Sequence, residues 1–144
     1  MKPEELMIGD YITFSDVQND DYCTKLKVIA LNEGEVYVSV DGDPVADLFG
    51  PEDIAGIPVT PEILEKNGFE KLDFSHYHIK DRTLVLDADG KWKGPLSWHW
   101  VVTEMDTNAK GQPVVIDYYV ATINYVHELQ HAIRLCGIEK EIIL

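Results

Sequence analysis

Cysteine is scarce in this chain. Cys23 and Cys136 are the only two in 144 residues, far apart and without the paired spacing of a metal site. Two such residues make no disulfide framework, and the expectation is two reduced, buried thiols in a cytoplasmic protein. Long apolar runs are also missing. The runs present, such as Val101-Val102 and Tyr118-Tyr119-Val120-Ala121, fall far short of the roughly 20 residues of a membrane helix. The start, MKPEELMIGDY, carries charges where a signal peptide needs an apolar stretch. No membrane partner and a cytoplasmic location are expected. Basic residues are few, with 12 Lys and Arg against 26 Asp and Glu and a net charge of −14. Residues 1–72 hold 16 acids and 5 bases, a balance of −11; residues 73–144 hold 10 and 7, a balance of −3. Nucleic-acid binding rests on neutralising phosphates with Lys and Arg, so no nucleic acid is expected as partner. A protein with a basic surface is the partner this charge suits. There is no glycine-rich phosphate loop and no G-x-S-x-G elbow, and neither cysteine sits in a nucleophile motif. Asp41 to Asp47, DGDPVAD, has the acids of a calcium loop without its spacing.

What is present divides near residue 58. Before it lie short segments of period two, the strand signal: DYITF (10–14), TKLKVIAL (24–31) with Leu26, Val28 and Ala30 on one face, and EVYVSV (35–40) with Val36, Val38 and Val40 on one face. Asn32-Glu33-Gly34 reads as a hairpin turn between the last two. GPEDIAGIP (50–58) supplies a turn and a further strand. This pattern predicts a small SH3-like β-barrel over residues 1–58. Residues 59–144 open with a helix start, in which Thr60 caps, Pro61 takes the first helical position and Glu62 suits the positive end; Asn67-Gly68 stops it. Strands follow at 71–80, in a hairpin over 82–93 turning at Asp89-Gly90, and at 96–105 and 113–123. A last helix is closed by Gly137. The predicted class is α+β: a barrel-like subdomain (1–58), then an antiparallel sheet with two helices (59–144).

Two stretches, GIPVTPEILEKNGFEK (56–71) and YVHELQHAIRLCGIEKEIIL (125–144), together with the LMIGDYI start (6–12), resemble an uncharacterised protein family of gut Bacteroidetes genomes and their mobile elements. The resemblance implies a phage or mobile-element origin. It implies no activity and no catalytic residue.

Within the second stretch, His127-Glu128-Leu129-Gln130-His131 spells H-E-x-x-H. Two histidines four apart on a helix can reach one zinc ion, and the Glu between them can serve as general base on a bound water. Three points oppose that reading. Tyr125, Val126, Leu129, Ala132, Ile133 and Cys136 form the apolar stripe of the helix, so His127 and His131 are expected on the opposite, solvent-facing side with Gln130 and Arg134. The third zinc ligand has no recognised position: Arg134 and Gly137 stand where the extended motif needs Gly and His, and Glu139 and Glu141 follow the helix stop. A five-letter pattern with two free positions also arises by chance.

His76 and His78 alternate around Tyr77, share a face and could chelate a metal. His99 is expected outward between inward-facing Trp98 and Trp100. Trp92, Trp98, Trp100, Tyr118 and Tyr119 could line a groove but suit a sheet core better. The reading is therefore a non-enzymatic binding protein with no cofactor. The alternative is a zinc-dependent, metallopeptidase-like hydrolase using His127, His131 and Glu128.

Overall fold

A computed structural model describes residues 1–15, 25–40, 43, 46–80, 82–86 and 97–144. The chain is α+β, with antiparallel sheets and two helices. It forms two compact units, Met1–Pro58 with Tyr125–His131, and Val59–Asn124 with Ala132–Leu144. Residues 125–131 thus group with the first 58 residues. No helix among the described residues is long and apolar enough to cross a membrane.

The first unit opens with a short 3₁₀ turn (Pro3–Glu5), followed by β1 (Tyr11–Phe14), β2 (Leu26–Asn32), β3 (Glu35–Val40), β4 (Ala46–Phe49) and β5 (Ile54–Gly56). The strands pair antiparallel in the order β4-β3-β2-β1-β5. The sheet is open among the described residues, with β4 and β5 as its outer strands. The β2–β3 hairpin closes through Glu33-Gly34, and Gly34 has φ +85°, a conformation that glycine takes without steric cost. Ile12, Leu26, Val28, Val36, Val38 and Ile54 build the core with Leu6, each fully buried apolar side chain contributing about 1.5–3 kcal/mol. Phe14 and Phe49 close its rim edge to face, with centroids 5.2 Å apart.

One expected face is wrong. A register shift between Val28 and Ala30 inserts an extra residue into β2. Beyond it the alternation inverts, so Ala30 is exposed and Leu31 packs on the core. Strand β4 has no period-two signal in the sequence.

The second unit begins with α1 (Pro61–Lys66) and continues through β6 (Glu70–Lys71), β7 (His76–Ile79), β8 (Arg82–Leu86), β9 (Trp98–Thr107) and β10 (Pro113–Ile123). Their order, β10-β9-β8-β7-β6, is an antiparallel meander. Thr60 caps α1 as expected, its Oγ1 accepting the Ile63 N–H at 3.4 Å, and Gly68 ends the helix at φ +77°. Tyr77, Leu84, Trp98 and Trp100 are buried. Tyr77 meets Trp98 edge to face at 5.6 Å, and Trp98 Nε1 donates to Val59 O at 3.1 Å. His99 keeps partial exposure between the two buried tryptophans. Tyr118 is exposed, so it is no part of that core. The expected turn at Asp89-Gly90, the Trp92 and Cys23 side chains, and the bulk of the 41–47 loop lie outside the described residues, as does the Tyr119 side chain.

Helix α2 (Val126–Leu135) is divided between the units after His131. Its end is a Schellman motif: Ile138 N–H donates to Ile133 O and Gly137 N–H to Arg134 O, with Gly137 at φ +67°. Beyond it, the C-terminal segment is fastened by Asn67, which is fully buried. Its amide donates to Ile63 O at 2.8 Å and Ile143 O at 2.7 Å, and its oxygen accepts Ile143 N–H at 2.7 Å. Asn67 is therefore more than the helix stop its sequence position suggests. Cys136 is a free thiol of intermediate exposure rather than a buried one, with Arg82 Nε 3.4 Å from its sulfur.

Candidate functional site

The site is built from the first turns of α2 and the Met7–Tyr11 segment, all in the first unit. The Glu at the third helical position reaches back to the residue before the helix: Glu128 Oε2 accepts the Tyr125 N–H at 3.0 Å. This is half of a capping box, and it also sets a negative charge at the positive end of the helix. The residue expected as general base thus holds its own helix start.

His127 and His131 do not face solvent, which corrects the orientation expected from the helical wheel. His127 is 3% exposed and Gln130 5%; the His131 side chain is 19% exposed. The wheel places the apolar stripe correctly, since Val126, Leu129, Ala132 and Ile133 are buried. It fails on the other side because a second, polar surface docks there. A tight turn closes Met7 to Asp10, with Asp10 N–H donating to Met7 O and Met7 N–H donating to Asp10 Oδ2 at 2.7 Å. Gly9 takes φ +93° within it. Gln130 then brackets this turn, accepting Tyr11 N–H at 2.8 Å and donating to Gly9 O at 3.1 Å. His131 Nε2 lies 2.7 Å from Asp10 Oδ2, and Asp10 is fully buried. The polar face of α2 is thereby a clamp on residues 9–11, its buried polar groups paired as burial requires.

His127 sits beside this clamp. Its ring stacks on Tyr125 (centroids 5.8 Å, planes 9° apart) and meets His131 edge-on at 6.0 Å. Nδ1 is enclosed with no hydrogen-bond partner. Burial pushes its pKa below the ordinary histidine value, because desolvation disfavours the charged ring; Glu128 and Asp10 pull the other way.

The chemistry open to these groups follows. If His131 Nε2 donates to Asp10 Oδ2, that nitrogen has no lone pair for a metal, and Nδ1 is the one ring nitrogen of His131 that keeps one. Two donors about 2.1 Å from a tetrahedral zinc lie about 3.4 Å apart; Asp10 Oδ2 and His131 Nε2, at 2.7 Å, stand at hydrogen-bond separation instead. Among the described residues, no group of three His, Cys, Asp or Glu is placed to hold a metal ion. His76 and His78 do not converge either. Each faces its own carboxylate: His76 Nδ1 lies 2.8 Å from Asp73 Oδ1, and His78 Nε2 lies 3.5 Å from Glu70 Oε2.

A cleft of about 390 Å³ opens next to His127. Strand β5 forms one wall; Tyr125, His127 and Glu128 form another, and Glu5 borders it. Gly56 is required here, since a Cβ would come within 2.5 Å of the Tyr125 ring. The sequence alone gives no role to Asp10 or Gly56, and it places Tyr125 in the apolar stripe and Gln130 on the solvent side without their partners. Gly9-Asp10 is a turn signal, but nothing local says which helix the turn will meet. Comparison with protein-family models, with curated proteins and with solved structures finds no match for this chain.

Proposed function

We propose that this chain is a non-enzymatic interaction protein of the cytoplasm, acting for a phage or mobile element, that recognises a protein with a basic surface. Its first unit serves as an SH3-like scaffold, a reading supported by the meander in which the fifth strand returns beside the first. The resemblance of residues 56–71 and 125–144 to the Bacteroidetes family supports the origin. One observation carries the non-enzymatic reading: three of the four polar side chains of the HELQH segment are engaged in holding the fold. Glu128 caps its helix, and Gln130 and His131 clamp the turn at residues 9–11. The acidic charge of residues 1–72 supports the partner chemistry.

The rival is a zinc-dependent hydrolase using His127, His131 and Glu128, and the enclosed, unpartnered Nδ1 of His127 is what favours it. Metal analysis of the purified protein separates the two. The expected result is no stoichiometric zinc. One zinc per chain, absent from the His127→Ala variant, would reverse the ranking. A pull-down from host lysate is expected to retain a basic protein that elutes as salt is raised; no specific partner would count against the interaction role.

A further inference from the structure

The outer strands of the two sheets differ sharply in length. Among the described residues, β4 has four residues, β5 three and β6 two, whereas β10 runs for eleven. On its side away from β9, β10 has no strand neighbour among the described residues. Shortness and charged side chains are among the usual guards against pairing with another chain. β10 has neither: Asp117 is its one charged residue, and Val115, Tyr118 and Val120 are exposed. Past the Arg82↔Val102 pair, where β8 begins, β9 and β10 continue as a two-stranded ribbon. The phase of its ladder follows from the turn. Asn108 N–H donates to Gln112 O at 2.9 Å, so 108 and 112 form a hydrogen-bonded pair, and such pairs alternate along the register. Val114, Ile116 and Tyr118 therefore bond to β9, while the main chains of Val115, Asp117 and Tyr119 point to the open edge. Pro113, in that same phase, has no N–H to leave there. A bulge between Tyr119 and Ala121 ends the straight stretch.

We propose that residues 113–119 of β10 pair antiparallel with the same residues of a second copy of this chain, about a two-fold axis at Ile116. Two five-stranded sheets then join into one. In this register Val115 exchanges both main-chain bonds with the copy's Asp117, and Asp117 with the copy's Val115. Pro113 O accepts the copy's Tyr119 N–H. Ile116 meets its own copy and Val114 meets Tyr118, so the pairs between these bonds are apolar. A register centred on Asp117 would instead set like charges directly opposite, which is unfavourable. A second copy is the occupant that the edge suits. It brings an equally open edge, and a two-fold pairing uses up both at once. Only the two-residue β6 then remains outermost, so the assembly closes and does not propagate. Charge repels the copy little here, because residues 1–72 carry −11 of the net charge and residues 73–144 only −3. A basic partner protein would find a single acid along this strand. The dimer therefore stands apart from the interaction reading above, and neither result decides the other.

The test combines sedimentation equilibrium of the full chain with cysteine cross-linking. A reversible monomer–dimer equilibrium is expected. Val115→Pro removes an edge-facing donor that β9 does not use, so it should melt like the parent and weaken the dimer about tenfold or more. Cross-linking reads the register without depending on that variant. With Cys23 and Cys136 replaced by Ser, Ile116→Cys places two thiols at the axis. Opposed residues of a non-hydrogen-bonded pair have Cα atoms about 4.5 Å apart, within the span of a disulfide. Diamide should therefore link Ile116→Cys into a covalent dimer and leave Val114→Cys, which meets Tyr118, largely unlinked. A chain that stays monomeric up to about 0.5 mM would overturn the proposal. So would a dimer that a folded Val115→Pro variant forms as tightly as the parent. Equal linking at 114 and 116, or linking at neither, would overturn the register centred on Ile116.

Discussion

Two imidazole–carboxylate pairs in this chain have nearly the same length and little else in common. In the second unit, His76 Nδ1 lies 2.8 Å from Asp73 Oδ1, three residues away, and both side chains are about half exposed. In the first, His131 Nε2 lies 2.7 Å from Asp10 Oδ2 across 121 positions of sequence, with Asp10 fully buried. Distance does not tell which pair matters to the fold. Burial does, because a carboxylate removed from water depends on the donors supplied in its place. Asp10 has two on one oxygen, the His131 ring and the Met7 N–H. Asp10→Ala leaves both without their acceptor. A loss of about 3–5 kcal/mol is expected in urea unfolding, the largest effect of any substitution considered. Asp10→Asn, which retains an amide oxygen for Met7, should lose less. If Asp10→Ala costs under about 1 kcal/mol, the clamp behaves like the surface pair and the contrast between them collapses.

Asn67 sharpens the contrast by removing charge from it. It too is fully buried and reaches across the sequence, but as a neutral amide with three bonds to main chain. Asn67→Ala leaves the N–H and C=O of Ile143 unmatched, for an expected loss of about 2–3 kcal/mol. Because no titrating group is involved, the loss should be the same at pH 5 and pH 8. A pH-dependent loss would show that the tail is held by something other than this amide.

The contrast also explains what could be read in advance. Strands β1, β2 and β3 announce themselves through period-two alternation, and β5, β9 and β10 as short segments set off by turn residues. Helix α1 does so through Thr60, Pro61 and Gly68, and the end of α2 through Gly137. These are local signals, written within a few residues of what they specify. The bulge at Val28/Ala30 inverts a face with no special residue to mark it. The clamp is worse placed for reading. The helical wheel at 125–136 identifies one apolar side and treats the remainder as surface, which holds only if nothing polar docks there. Gly9-Asp10 does dock there, and a partnership spanning 121 residues leaves no periodicity. The HELQH letters suggested a zinc chemistry because the motif is read as a set of free ligands; in the fold Glu128 answers a helix terminus and His131 answers Asp10.

His127 tests whether burial itself, rather than pairing, carries an electrostatic cost. Its pKa is lowered by desolvation, with Glu128, Asp10 and Glu5 opposing and the neighbouring His131 adding to the shift. The folded protein therefore resists protonation that the unfolded chain accepts near pH 6.5. The stability associated with a neutral His127 is fully present above pH 6.5. It is lost as pH falls from there towards the depressed folded value, where the unfolded state binds the extra proton. His127→Phe keeps an aromatic ring for Tyr125 and removes the titration. Its unfolding free energy should fall less steeply with decreasing pH over that window than the parent's, an effect smaller than either deletion above. Parallel curves would mean that the imidazole gains its proton in the fold as easily as in water.

The smallest effect belongs to the surface pair. Asp73 is held well down, to about 2, first by the Ser75 N–H and then by the His76 ring. A depressed carboxyl contributes stability above its ordinary pKa of about 3.8 and loses it as pH falls to about 2. At neutral pH that contribution is present in full, yet water and salt screen it, and the side chains give up rotamer freedom to make it. Asp73→Asn at pH 7 should leave the thermal midpoint within the scatter of repeated melts, and 1 M salt should not change that result. The same exchange at Asp10 should lower the midpoint clearly at either salt concentration, because counterions do not reach a fully buried oxygen. Similar shifts at both positions would mean that separation, not solvent, governs these two bonds.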